Sequence, residues 1–460
     1  MAHAAIDRKA LVTRNNPVVT SVDTLASLSV GNGAFAFTTD ITGLQTFPEY
    51  YKNGVPLGTQ SEWGWHSFDN TDGLRMEESY QKFDFGHGHR ELYATEFKTP
   101  GRARDAANYF RQNPHRLHLG CIGLEIEGLQ PGDIKSPRQT LDMWNGVIGS
   151  RFKVNGSWFR VTTVCHPERD LIASRIKHQT SDLRPQTSIN LRFPYPTGGH
   201  SDDACDWNSN DKHQTTLVSE SSHSAVLKRT IGKTEYYVVL NWEEKAQLKE
   251  KSKNYWVLAA EGNQLTFSCE FLDSEELRVK SEERMFNVQS ESAKHWQQFW
   301  TEGAAVDFSH CKDKRAKELE RRVVLSQWLL AIQCAASTPP QETGLTYNSW
   351  FGKFHMEMIW WHQAWLPLWN HATMLDRTLR WYESVEPIAR EIAMRQGFKG
   401  VRWMKMTDPS GEEAPSKVGS FLIWQQPHLI YLAELLYRSA QTSDLRPQTS
   451  DLSRWPLFLL

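Results

Sequence analysis

The chain has 460 residues, enough for two or three domains with sizeable cores, so its stability demands neither metals nor disulfides. Its 52 basic and 54 acidic residues nearly cancel and form no long block of one sign, which argues against nucleic acid or an anionic membrane as the main partner. Nineteen tryptophans are many for this length and suit a neutral ligand with flat apolar faces, carbohydrate above all.

Cys121, Cys165, Cys205, Cys269, Cys311 and Cys334 are scattered, without a C-x-x-C pair or a histidine at finger-like spacing, so no disulfide framework and no structural zinc is expected. The first residues lack the apolar core of a signal peptide, and no segment approaches the ~18 apolar residues of a membrane span. As written the chain is expected to be cytoplasmic, with a periplasmic or secreted location if the start is misplaced.

In chain order, residues 20 to 280 carry the signals of strands and turns. Leu28 to Phe37 places Gly31-Asn32-Gly33 between apolar residues, and Phe152 to Val161 has a hairpin pattern with Asn155-Gly156 at its tip. β-Rich runs follow at Leu171 to Ile176, Tyr236 to Trp242 and Leu265 to Phe271, with no long amphipathic helix between them. The spacing predicts a large, mostly antiparallel β-sandwich over 1–277.

After Leu277 the period changes to about 3.6. Residues 278–312 read as a helical linker, with a helix from Glu282 to Trp300, and 313–440 as a helical domain. Within it, Asp313 to Ser337 is amphipathic with Val324, Trp328 and Ile332 on one stripe, and Pro339-Pro340 stops it. Further helices are expected from Asp376 to Val385, from Pro387 to Gly397, and from about Gln426 to Ser439.

Tyr347 to Trp369 packs five tryptophans, two histidines and Glu357 into 23 residues. Indoles stack on the C–H faces of a pyranose, and carboxylate, imidazole and indole N–H groups meet its hydroxyls, so the mixture suits a sugar pocket. Met358, Trp361, Trp365 and Trp369 also recur at helical spacing, which is the pattern of a buried aromatic helix. His355 and His362 flank Glu357 at a spacing that matches no helical metal pair, so no metal site is expected.

The decapeptide Gln-Thr-Ser-Asp-Leu-Arg-Pro-Gln-Thr-Ser occurs at 179–188 and again, unchanged, at 441–450. Diverging structural repeats keep pattern rather than letters, so we read it as a short DNA repeat translated as protein. The first copy is expected to be an unpacked insert. The second opens a non-native tail, 441–460, that interrupts the helical domain after about Ala440.

Three segments resemble glycoside hydrolase family 65, the maltose, trehalose and kojibiose phosphorylases and acid trehalases of the six-hairpin glycosidase superfamily. Val30-Gly31-Asn32-Gly33 is similar to the opening of the family's sandwich, and Phe351-Gly-Lys-Phe-His-Met-Glu357 to its Gly-His-x-Phe-Trp-Asp segment. Gly397 to Pro415 resembles its Gly-Tyr-x-Gly-Ala-x-Tyr-Pro-Trp segment and the Gly-x-Glu-x-Thr-Pro that follows. The resemblance implies an N-terminal large antiparallel β-sandwich, a helical linker, and the first part of an (α/α)6 toroid, of which roughly half is expected to be absent.

The family's sugar-gripping Trp-Asp pair falls on Met356-Glu357, and Trp350, Trp360 or Trp361 is left to supply the missing ring. Trp350, His355, Met356, Glu357, Trp360, Trp361, Trp403, Glu412 and Glu413 are the substrate-binding candidates. Glu357 reads as a sugar-binding carboxylate, as an acid in a rearranged site, or as a helix-start carboxylate. Lys405 and Arg402 read as contacts to a phosphate or sugar hydroxyl, or as surface cations.

The family's general acid lies in a Gly-Pro-Asp-Glu-Tyr-like segment downstream, and nothing like it follows Pro415. The catalytic residues therefore stay unassigned, and the chain is expected to be inactive through truncation. The resemblance further implies an oligosaccharide or disaccharide substrate with α-glucosidic or similar linkages and a homodimer in the intact member. It implies no cofactor, with inorganic phosphate as co-substrate in a phosphorylase. The reading from a different class is a non-catalytic carbohydrate-binding fragment.

Overall fold

The computed structural model describes residues 5–179, 186–274 and 285–442. A nine-stranded antiparallel sheet runs in the order Val18–Val19, Lys135–Asp142, Val147–Val154, Ser157–Cys165, Leu171–His178, Gln264–Leu272, Thr234–Trp242, Ser224–Ile231 and His213–Glu220. A four-stranded sheet, in the order Ala246–Ser252, Tyr255–Glu261, Gln186–Arg192 and Cys121–Leu124, covers its inner face. Alternation decides which residues face inward: Ile148, Phe152 and Val154 are buried while Arg151 between them is exposed. Phe152, Ile176 and Phe267 from the larger sheet share one core with Ile189, Leu248 and Leu258 from the smaller. This is the expected sandwich.

Both expected hairpins form. Asn155 and Gly156, at φ 50° and 83°, supply the left-handed pair that a two-residue turn needs between Val147–Val154 and Ser157–Cys165. Leu28–Gly31 pairs with Phe35–Thr39, and the turn between them receives a helix end. Gly33 N–H donates to Ile332 O at 2.9 Å, and a Cβ on Gly31 would sit 2.5 Å from that same oxygen. The glycines of this motif thus let a distant helix terminus close onto the sheet.

That helix, Ala316–Gln333, buries Val324, Trp328 and Ile332 in the β-domain core, so it packs with the sandwich although the sequence places it in the helical domain. Trp328 Nε1 donates to Ser29 O at 3.3 Å, and its ring lies 4.2 Å from that of Trp296 on the linker helix Met285–Glu302. Val288 of the linker helix covers Val164, Leu171 and Ala173 on the outer face of the large sheet. The remaining helices, among them Ala372–Ser384, Glu386–Arg395 and His428–Thr442, build a second core on Phe354, Ile359, Leu379, Tyr382 and Leu432.

Two expectations change. An 11-residue helix, Arg102–Gln112, interrupts the β region and turns Ala106 and Ala107 fully inward. The first decapeptide copy is partly built into the sheet. Gln186, Thr187 and Ser188 begin the strand Gln186–Arg192, and buried Thr187 donates to Gly262 O at 3.0 Å. In the second copy, Gln441 and Thr442 continue the last helix. Residues 180–185 and 443–460, and the sandwich-to-linker boundary at Leu277, lie outside the described residues.

Candidate functional site

The tryptophan-rich segment enters the helical region through a strained turn. Trp350, Phe351 and Gly352 take φ 53°, 61° and 73° in succession, which for the two bulky residues costs about 1–3 kcal/mol each. A Cβ on Gly352 would sit 2.2 Å from Arg116 Cβ, so only glycine fits. The turn is held by Phe351 N–H on His200 O at 3.0 Å and by Lys353, whose buried Nζ donates to Phe110 O at 3.1 Å and Asn113 O at 2.9 Å. Both carbonyls lie at the C-terminal end of the helix Arg102–Gln112, where a cation is favoured. Burial lowers the Lys353 ammonium to about 8.

Beyond the turn, Phe354–His355 pairs with Met406–Thr407, and Met356 N–H donates to Lys405 O at 2.8 Å. This ladder joins the two segments that carry the family resemblance. It also sets Lys405 beside Glu357. Glu357 Oε1 lies 2.9 Å from His355 Nε2 and 2.9 Å from Lys405 Nζ, and Oε2 accepts from Trp424 Nε1 at 3.1 Å.

Burial pushes the Glu357 carboxyl up, but the bonds from His355 and Lys405 outweigh it and hold the group at about 2. At neutral pH Glu357 is an anion, which suits it to accept hydroxyl donors and unsuits it to donate a proton. This direction argues against the general-acid reading of Glu357. The carboxylate's contacts are to His355, Lys405 and Trp424.

The other candidates separate by surroundings. Trp361 is 63% exposed and Trp424 57% exposed, and Ile423, next to Trp424 in the chain, is also exposed. Trp360 is half-buried, 4.3 Å from the Tyr431 ring and 5.7 Å from His428, whose Nδ1 lies 3.2 Å from Met356 O. Trp350 is flanked by protein groups: Lys405 Nζ stands 4.5 Å, the Arg111 guanidinium 5.8 Å and the His200 ring 4.6 Å from its ring. It therefore braces Lys405 and leaves stacking to other indoles.

Met356 and Trp403 are core side chains, Trp403 edge-on to Tyr382 at 4.8 Å, so neither offers a surface to a ligand. Their hydrophobicity, which the sequence reading assigned to the site, is spent on the helical core. Buried Glu413 is ion-paired with Arg395 and is a structural group. Glu412, half-buried, is raised by desolvation and by Asp408. His355 is fully buried, with Nδ1 unpartnered among the described residues. His362 Nε2 lies 3.0 Å from Glu342 O, and burial lowers this imidazole to about 4. Among the described residues no three metal-ligating side chains gather. Arg402 is buried against Gln396 Oε1 at 2.6 Å and Ser420 O at 3.2 Å, which answers the surface reading.

Sequence reasoning missed Trp424, Arg111 and His200, each brought in from a segment without a local signal. Two grooves on the β domain, of about 720 Å³ beside His213 and Trp256 and about 710 Å³ along Tyr255–Glu261, are lined by residues other than Glu357. Glu357, His355, Lys405 and Trp424 together form a contiguous wall.

Neither a family model nor a curated protein matches the sequence. Solved structures do match by shape. A protein assigned as a kojibiose phosphorylase, from the human microbiome, superposes with a TM-score of 0.60 at 11% identity, over 96% of this chain and 59% of that one. Weaker likenesses are a bacterial glucoamylase complexed with acarbose (TM-score 0.43, 8% identity, 92% and 57% of the two chains) and a family 92 α-mannosidase from Bacteroides thetaiotaomicron (0.37, 9%, 96% and 57%). No helix of the described residues is long and apolar enough to cross a membrane. The chain thus spans little more than half the length of these proteins, and over 96% of its own length it shares the fold of the first of them.

Proposed function

We propose that the wall around Glu357 binds a glycosyl unit of an α-linked glucoside or similar oligosaccharide. The observation that carries this is the carboxylate itself: ionised, held by His355 and Lys405, and accepting the indole N–H of the exposed Trp424. An anionic acceptor beside flat apolar rings matches the two surfaces of a pyranose. The likeness to a protein assigned as a kojibiose phosphorylase supports an α-glucoside over other sugars.

Inverting cleavage needs a protonated carboxyl at the leaving oxygen, and a second carboxylate about 6.5–9.5 Å away when water is the nucleophile. Glu357 serves neither as that acid nor, tied to Lys405 and His355, as a free base. On this reading the wall holds the sugar while bond-breaking groups come from elsewhere, with inorganic phosphate as co-substrate if the chemistry is phosphorolysis. The same wall without those groups is a carbohydrate-binding module, the second reading, which the ionised state of Glu357 favours for the described residues.

Calorimetric titration with α-linked glucobioses tests the binding. Glu357→Gln is expected to weaken it by about 10–100-fold, the worth of one charge-assisted hydrogen bond. Unchanged affinity in that variant would remove Glu357 from the site. Incubating the protein with the bound sugar, with and without phosphate, separates cleavage by phosphate, cleavage by water, and binding alone.

A further inference from the structure

The outer face of the nine-stranded sheet carries a row of like charges. Arg138 stands opposite Arg151, Arg151 opposite Arg160, and Arg160 opposite Lys177, on four consecutive antiparallel strands. All four are exposed. Directly opposed like charges destabilise a sheet, and strands about 4.8 Å apart place the four cations on a line about 14 Å long.

No carboxylate in the flanking rows offsets them. Those rows, Thr140–Gly149–Thr162–Arg175 and Lys135–Lys153–Trp158, add three more cations. Glu244, at the end of the row, is taken by Gln264 Nε2 at 2.7 Å and Thr266 N–H at 2.6 Å. Among the described residues none of Arg138, Arg151, Arg160 and Lys177 is ion-paired, in a chain whose net charge is −2. In the next row, Asp142, Val147, Val164 and Ala173, Val288 of the linker helix covers the apolar residues, while the four cations stay exposed.

We propose that this row is a binding surface for a linear acidic polysaccharide, a glycan carrying a carboxylate or sulfate on successive sugars. A flat line of cations spaced at a step comparable to one pyranose residue fits an extended chain laid across the strands. Single-stranded nucleic acid fits less well because it needs open aromatic faces, and the Trp158 ring is already covered by Arg151 at 3.9 Å and Lys153 at 4.7 Å. A lipid surface fits less well because, among the described residues, no amphipathic helix stands on these rows to enter it. The proposal does not rest on the reading of Glu357.

The test uses the full chain with polygalacturonate as the probe, and dextran, oligodeoxythymidylate and phosphatidylserine vesicles as comparisons. Polygalacturonate is expected to bind, dextran is not, and the affinity should fall steeply between about 50 and 300 mM salt. Arg151→Glu with Arg160→Glu should weaken it at least about tenfold, while Glu357→Gln leaves it unchanged. Because Arg160→Glu replaces two repulsive pairings by attractive ones, that variant should melt no lower than the parent, and Arg160→Gln gives a second, neutral comparison. Absence of polygalacturonate binding, binding indifferent to both substitutions, or tighter binding of the oligonucleotide or the vesicles overturns the proposal.

Discussion

Asp170 in the β domain and Glu357 in the helical region each accept an indole N–H, yet one carboxyl is raised and the other lowered. Asp170 receives Trp63 Nε1 at 2.6 Å and the Ser61 hydroxyl, and burial still raises it to about 7. Glu357 receives Trp424 Nε1 at 3.1 Å, but Lys405 and His355 hold it at about 2 against its own burial. Neutral donors trim a desolvation penalty; a cation reverses it. The β domain thus uses its carboxyl as a buried fastener, and the helical region keeps its carboxyl charged where solvent and exposed indoles meet.

The largest effect that sharpens this contrast comes from the tryptophans. Trp328→Ala should cost about 3–5 kcal/mol in denaturant unfolding, because Trp328 is wholly buried between the sheet and the linker helix. Lys405→Met should cost less, about 1–3 kcal/mol, since it leaves Glu357 with one fewer cationic neighbour. In that variant the Glu357 carboxyl should titrate well above 2, a change followed by carboxyl-carbon NMR.

Asp170→Asn should act through pH. The folded carboxyl binds its proton up to about 7 and the unfolded one only to about 3.8, so the native protein loses stability as pH rises through that window. The variant should flatten this slope in thermal melts and gain most above pH 7. Trp361→Ala should be the smallest, within about 0.5 kcal/mol in stability, while glucobiose binding weakens.

What the sequence carried was local chemistry. Asn155-Gly156 names its turn by itself, and the Val324, Trp328, Ile332 stripe names its helix. Which partner that stripe meets was not legible, because it depends on Gly31 and Gly33 admitting the carbonyl of Ile332 some 300 residues away. At the site, Glu357 stood out by composition. Lys405 was noticed but not assigned, since only the ladder of Phe354–His355 on Met406–Thr407 brings it within reach. Trp403 and Met356 were read as wall and are core, because an aromatic-rich segment does not state which of its rings face a ligand. The helix Arg102–Gln112 was missed, although its end carbonyls anchor Lys353 below the strained turn.

The central claim is that Glu357 holds sugar as an anion. Its folded value near 2 against an ordinary value of 4.5 means the carboxylate persists as pH falls below 4.5 and is lost through about 2. Glucobiose affinity measured from pH 8 downward tests this most directly. The account expects a flat profile to about pH 3, a fall below it, and uniformly weak binding by Glu357→Gln; a parent profile that breaks between pH 4 and 7, or a variant that binds like the parent, would contradict it.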